Sequence, residues 1–123
     1  MLFRSLKIVS HEMEMDALEL WIKFAARITR PRGLFTLIHK SSELSNLIPL
    51  LQGRFGSLNI RPIHSHIKEP AIRILIEGRK GSKGDLQILP PLIVHKENKQ
   101  FTKTVSLILR EGLSLEEALA IAE

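Results

Sequence analysis

Cysteine and tyrosine are both missing from this 123-residue chain. Without cysteine there is no disulfide scaffold, no thiolate zinc site and no cysteine nucleophile. Aromatic residues make up 5% of the sequence. So few aromatics give no support to a base-stacking platform of the single-strand-binding kind. No apolar run approaches the ~20 residues that span a bilayer. The start, from Met1 to Lys7, has neither a long apolar stretch nor a small-residue cleavage site. It does not read as a signal peptide, and a cytoplasmic location is the expectation.

What is present fits one domain. Hydrophobic residues make up 44% and charged residues 25%, in a chain long enough to bury a core of its own. The net charge of +5 is unevenly spread. Residues 54–84 carry Arg54, Arg61, Lys68, Arg73, Arg79, Lys80 and Lys83 against Glu69 and Glu77 alone. Such a block suggests a polyanion such as RNA, although a solvated basic face has the same signature. Arg73, Arg79, Lys80 and Lys83 are the RNA-backbone candidates, because neutralising phosphate needs only clustered cations. Arg54 and Arg61 are weaker versions of the same idea.

Periodicity sets out the elements. Leu18, Trp21, Ile22, Ala25 and Ile28 recur at helical steps, which predicts a helix over residues 16–29 with Trp21 in the core. Asp16 with Glu19 has the form of a capping box, and Pro31-Arg32-Gly33 reads as the stop and turn. Residues 34–39 are apolar on both faces, as in a central strand covered on both sides. Ser41 or Ser42 can cap a helix over 43–52 that Gly53 ends. Strands are expected over 58–64 and 71–79, with Ile72, Ile74 and Ile76 sharing one face. Residues 78–84 read as a mobile basic loop. Short strands at 86–89 and 92–95 precede helices at 102–111 and 115–122, with Gly112 as the break and Ser114–Glu117 as a second capping box.

The order helix, strand, helix, strand, strand is α/β and opens on a helix. An amphipathic helix, the Pro31-Arg32-Gly33 turn and the apolar strand Leu34-Phe35-Thr36-Leu37-Ile38-His39 resemble the second half of class I S-adenosylmethionine (SAM)-dependent methyltransferases. The nearer likeness is to bacterial small-domain tRNA (adenine-N(6))-methyltransferases. It is carried also by Trp21–Arg27, Leu51–Gly56, Glu69–Leu75, Arg79–Ser82 and Leu89–His95. The resemblance implies a partial Rossmann-like sheet, the last three strands of the order 3-2-1-4-5-7-6, with flanking helices. Residues 1–84 would be the C-terminal half of the methyltransferase domain, and residues 85–123 an appendage of short strands and two short helices packed on it. The expected first strand would then lie open at an edge.

The same resemblance implies methyl transfer from S-adenosyl-L-methionine to the exocyclic amine of a tRNA adenine. The glycine-rich SAM loop and the Asn-Pro-Pro-aromatic tetrad are absent from the sequence. Gly78, Gly81 and Gly84 have the wrong spacing for the loop, and Pro90-Pro91 has the wrong flanks for the tetrad. No catalytic or cofactor-binding residue is therefore assigned, and SAM binding by this chain alone is not expected. A complementary N-terminal half or a second copy would complete the sheet. His39 and Lys40 fall at the carboxyl end of the central strand, where ligands bind in open α/β sheets, and are the substrate-side candidates. A non-catalytic RNA-binding or partner-binding remnant of the fold is the alternative. His64-Ser65-His66 could suggest a metal pair, but no third ligand is in view, so no metal is assigned. A helix-turn-helix over 104–122 fails on charge, since its second helix carries Glu116, Glu117 and Glu123 and no cation.

Overall fold

The computed structural model describes residues 3–9 and 15–122. Its elements are β1 (Phe3–Val9), α1 (Met15–Ile28), β2 (Thr29–Lys40), α2 (Leu44–Leu51), β3 (Phe55–His66), β4 (Arg73–Lys80), β5 (Gln87–Ile88), β6 (Leu92–His95), α3 (Lys103–Glu111) and α4 (Leu115–Ala122). One mixed sheet runs in the order β1-β2-β4-β3-β5, and β6 also pairs with β3. β1 is parallel to β2, while β4 is antiparallel to both β2 and β3. A single antiparallel strand between two parallel ones is the 4-5-7-6 end of the order that the resemblance implies.

β1 is an addition to the expected three strands. Residues 34–39 therefore do not form an open edge, because β1 lies on one side of β2 and β4 on the other. β2 is also longer than its apolar run. It follows α1 directly at Thr29, whose hydroxyl donates to the Ala25 carbonyl at 2.6 Å. Pro31-Arg32-Gly33 does not turn the chain away. The register steps from Phe3↔Thr29 to Ser5↔Leu34, so the extra residues bulge within the strand, with Arg32 at φ 65°.

The core lies on one face of the sheet. Leu18, Ile22 and Ala25 of α1 and Leu47 and Leu51 of α2 cover Phe35, Leu37, Ile74, Ile76, Leu58 and Ile60. Phe35 stacks on Phe55 with ring centroids 4.5 Å apart. Trp21 is not part of this core. It is 47% exposed, because the buried stripe repeats at 18, 22 and 25 and leaves position 21 on its flank. Ile72 also departs from expectation. It precedes β4 and is exposed, whereas Ile74 and Ile76 are buried.

The caps divide in the same way. α1 is described from Met15, and the first capping box, which turns on the Asp16 side chain, lies outside what the structure describes. Neither Ser41 nor Ser42 caps α2. A single 3-10 turn, Ser41–Glu43, precedes that helix, and the Ser41 hydroxyl donates to the Ala71 carbonyl at 2.5 Å. The second capping box is formed in full. Ser114 N–H donates to Glu117 Oε1 and Glu117 N–H donates to Ser114 Oγ, each at 3.2 Å. Gly112 ends α3 at φ 68°, a left-handed conformation that favours glycine. β5 and β6 both run parallel to β3 along its outer edge. Among the described residues no helix is long and apolar enough to cross a membrane.

Candidate functional site

The strand directions decide which candidates meet. β1, β2 and β3 are mutually parallel in the sheet, so their carboxyl ends share one border and their amino ends the other. His39 and Lys40 end β2, and Lys40 is the cross-strand partner of Arg73 at the start of β4. Arg79 and Lys80 lie at the far end of β4, about 20 Å away at ~3.4 Å per residue. The four basic candidates are therefore two groups. Arg73 joins Lys40 at the carboxyl border, while Arg79, Lys80 and Lys83 stand at the amino border.

At the carboxyl border the two substrate-side candidates differ. His39 is buried, on the same face as Phe35 and Leu37. Lys40 points to the other face, half-buried beside Arg73. The turn behind them is closed by the chain itself, since Ser41 N–H donates to the Ile72 carbonyl at 3.0 Å. Further along this border His66 pairs with His95, which stacks on Phe101. Even so, no group of three metal-ligating side chains occurs among the described residues.

The amino border collects more cations than the sequence block alone contains. The β2 bulge brings Arg32 beside Arg79, whose guanidinium donates to the Arg32 carbonyl at 3.2 Å. Lys80 turns to the opposite face and is tied down, with Nζ donating to the Thr29 carbonyl at 2.6 Å. Arg54 is likewise engaged, donating to the Leu50 carbonyl at 2.7 Å. Arg32, Arg79, Gly81, Ser82 and Lys83 line an open cleft of about 550 Å³. No carboxylate lines it, and among the described residues no ion pair involves Arg32, Arg79 or Lys83. Periodicity could not have placed Arg32 there; the positive φ inside a strand does.

The loop carrying Lys83 is not the free segment its composition suggests. Gly81 N–H donates to the Arg54 carbonyl and Ser57 N–H to the Gly84 carbonyl, each at 3.2 Å. The Ser57 and Ser82 hydroxyls are 2.5 Å apart. These contacts pin residues 81–84 along the start of β3. Arg61 has a structural place instead. It is buried, donates to the Pro90 carbonyl at 2.7 Å, and has Glu116 at 3.9 Å. It holds the β5–β6 connection and α4 against β3.

Three of the described glycines are closed to SAM, the cofactor that the fold implies. Gly78 is inside β4, where an added Cβ would lie 2.8 Å from Leu58 Cδ2. Gly84 packs on the Ser57 side chain, and Gly56 on the Ser82 carbonyl. Each of these close approaches is to the chain's own atoms, so these three cradle no ligand, whereas Gly53 and Gly81, both at positive φ, have nothing within 4 Å.

No family model matches the chain, and no curated protein matches it. Among solved structures, the crystal structure of a predicted O-methyltransferase, protein Atu636 from Agrobacterium tumefaciens, is similar over 91% of this chain. The TM-score is 0.74 and the sequence identity 28%. The match covers 50% of that protein, so this chain spans about half its length. Together with the 4-5-7-6 strand order, the match shows that the chain has a methyltransferase-like α/β fold.

Proposed function

We propose that this chain is the C-terminal portion of a SAM-dependent methyltransferase acting on tRNA, incomplete on its own, and that its share of the work is scaffold and phosphate contact. The observation that carries the reading is the 0.74 TM-score over 91% of the chain against half of a predicted O-methyltransferase. The acceptor is the exocyclic amine of adenine on the sequence resemblance, whereas the matched protein's description names oxygen. The methyl-donor cradle belongs to a part of the fold outside these residues, in keeping with a sequence that lacks the glycine-rich loop. Arg32, Arg79 and Lys83 hold tRNA phosphates, being cations in an open cleft with no carboxylate partner among the described residues. This contact lies across the sheet from the carboxyl border, a distance a molecule of tRNA size bridges easily. Lys40 with Arg73 is the substrate-side group at that border. A tRNA substrate also fits a cytoplasmic location.

Two measurements test the division of labour. tRNA filter binding should be salt-dependent, and Arg32→Ala with Arg79→Ala and Lys83→Ala should lower the log–log salt slope by about two to three. An unchanged slope removes the phosphate role. Calorimetry with SAM should show no binding to this chain, and measurable binding would overturn the division. The second reading, a non-catalytic RNA-binding remnant, is favoured by the carboxylate-free cleft of Arg32, Arg79 and Lys83, which needs no methyl donor to hold phosphate. Methyl transfer to tRNA after addition of a separately expressed N-terminal methyltransferase half would exclude it, and would identify the acceptor atom.

A further inference from the structure

We propose that the amino border holds one unpaired nucleotide of an RNA strand, with its phosphate on Arg32, Arg79 and Lys83 and its base in the pocket next to them. This rests on the phosphate role given above to those three cations, and it adds what adjoins the phosphate. The cationic cleft shares a wall with a second hollow. Gly81, Ser82 and Lys83 line the cleft, and the same three residues line a pocket of about 290 Å³ between the end of α2 and the start of β3. The other walls of that pocket have a different character. Phe55, Leu58 and Leu86 are apolar, and Gln52 brings an uncharged polar group. Lys83 is the one charged residue in its lining, and no carboxylate lines either hollow. Asp85, next in the chain after Gly84, lines neither.

A nucleotide has the same make-up as this pair of hollows. Its phosphate is an anion, and its base is a flat ring system with apolar faces and a polar rim. One ribose joins the two, so their sites must adjoin. Size sets the number of bases. Ligand pockets start at about 300 Å³, so this one takes a single base and not a run of them. One base between aliphatic walls needs no stacking platform, which the scarcity of aromatics would deny. Gln52 is exposed, and its carboxamide both donates and accepts, as the edge of a base requires. The common wall is also set before binding. Gly81 N–H donates to the Arg54 carbonyl, and the paired Ser57 and Ser82 hydroxyls hold the loop on β3. Gly81 has φ +78° and nothing within 4 Å of an added Cβ, so that wall is bare backbone there. A wall already in place costs little ordering when a ligand arrives. The nucleotide must be unpaired, because a base inside a duplex keeps its faces in the stack and its edge in the pair. Loops, bulges and strand ends offer such bases.

Fluorescence anisotropy with the full chain and two labelled RNAs of about six nucleotides tests this. One is a single strand of mixed sequence, and the other has the same length with an abasic ribose at every position. The natural chain should bind the base-bearing strand about tenfold more tightly, and the two should share one salt slope because their phosphates are the same. Gln52→Ala with Leu86→Ala should abolish that tenfold preference. It should leave the affinity for the abasic strand and the salt slope as they were. Both side chains are exposed, so the circular dichroism spectrum should not change. Equal affinity of the natural chain for the two strands overturns the pocket and leaves the phosphate contact standing, whereas binding that ignores salt overturns both. A double variant that still prefers the base-bearing strand also overturns the pocket. Adenosine monophosphate as competitor separates a free nucleotide from an RNA segment. It should displace the labelled strand less well than unlabelled strand does, and tighter binding of the free nucleotide would overturn RNA as the source.

Discussion

Gly56→Ala tests the most exacting contact in the molecule. An added methyl at Gly56 would fall on the carbonyl of Ser82. That obstacle is backbone, so no rotamer change relieves it; either β3 or the loop of residues 81–84 must move. Movement breaks the Ser57 N–H to Gly84 carbonyl bond and separates the Ser57 and Ser82 hydroxyls. Overpacking of this kind costs about 2 kcal/mol, which for a domain of this size lowers Tm by roughly 6–10 °C. The control is Gly53→Ala. Gly53 has φ +84° and nothing within 4 Å, so its penalty is conformational alone, about 1 kcal/mol. Thermal denaturation followed by circular dichroism gives both values. Gly56→Ala should also weaken tRNA binding, because Lys83 leaves the cleft, whereas Gly53→Ala should not. A Gly56→Ala protein as stable as the unsubstituted chain would show that residues 81–84 do not lie on β3, and the proposed phosphate cleft would fail with that geometry.

Other outcomes follow from single contacts. Phe35→Ala removes one ring of the Phe35–Phe55 stack at a fully buried site, and urea denaturation should register a loss of about 3–5 kcal/mol. Ser114→Ala leaves Glu117 N–H without its cap and should cost about 1 kcal/mol, read as a lower helical signal at 222 nm on warming. The Ser114 backbone and hydroxyl hydrogen bonds hold the Glu117 carboxyl below its usual pKa of 4.5. A depressed folded-state pKa contributes stability above the unfolded value and loses it as pH falls through the folded one. An acid titration below pH 4.5 should therefore weaken the start of α4, and Glu117→Gln should flatten that part of the curve. Lys40 and Arg73 are like charges set directly opposite each other, so Arg73→Thr should raise stability by up to about 0.5 kcal/mol at low salt; a decrease would mean that the pair is not repulsive.

Local patterns were legible wherever a residue's neighbours in sequence are its physical partners. The 18, 22, 25 spacing placed the buried stripe of α1, the Ser114–Glu117 pair placed the start of α4, and Gly112 placed the end of α3. The alternation from Arg73 onward placed β4. All of these rest on periods of 3.6 or 2 residues, or on hydrogen bonds spanning three residues, so the chain alone determines them. The resemblance carried in residues 21–95 also identified the methyltransferase-like class of sheet.

Tertiary structure decided the rest, because pairing across a sheet joins residues far apart in the chain. β1 is too short and too mixed to announce itself, and it is a strand because β2 offers a parallel edge. Trp21 has the spacing of a core residue, yet the sheet takes the stripe at 18, 22 and 25 and leaves Trp21 outside. The basic block read as one patch, but an extended strand carries Arg73 and Arg79 to opposite borders. A bulge 47 residues earlier then sets Arg32 beside Arg79. Charge composition is a property of the sequence, whereas which charges share a cleft depends on strand direction and register, and only the folded sheet fixes those.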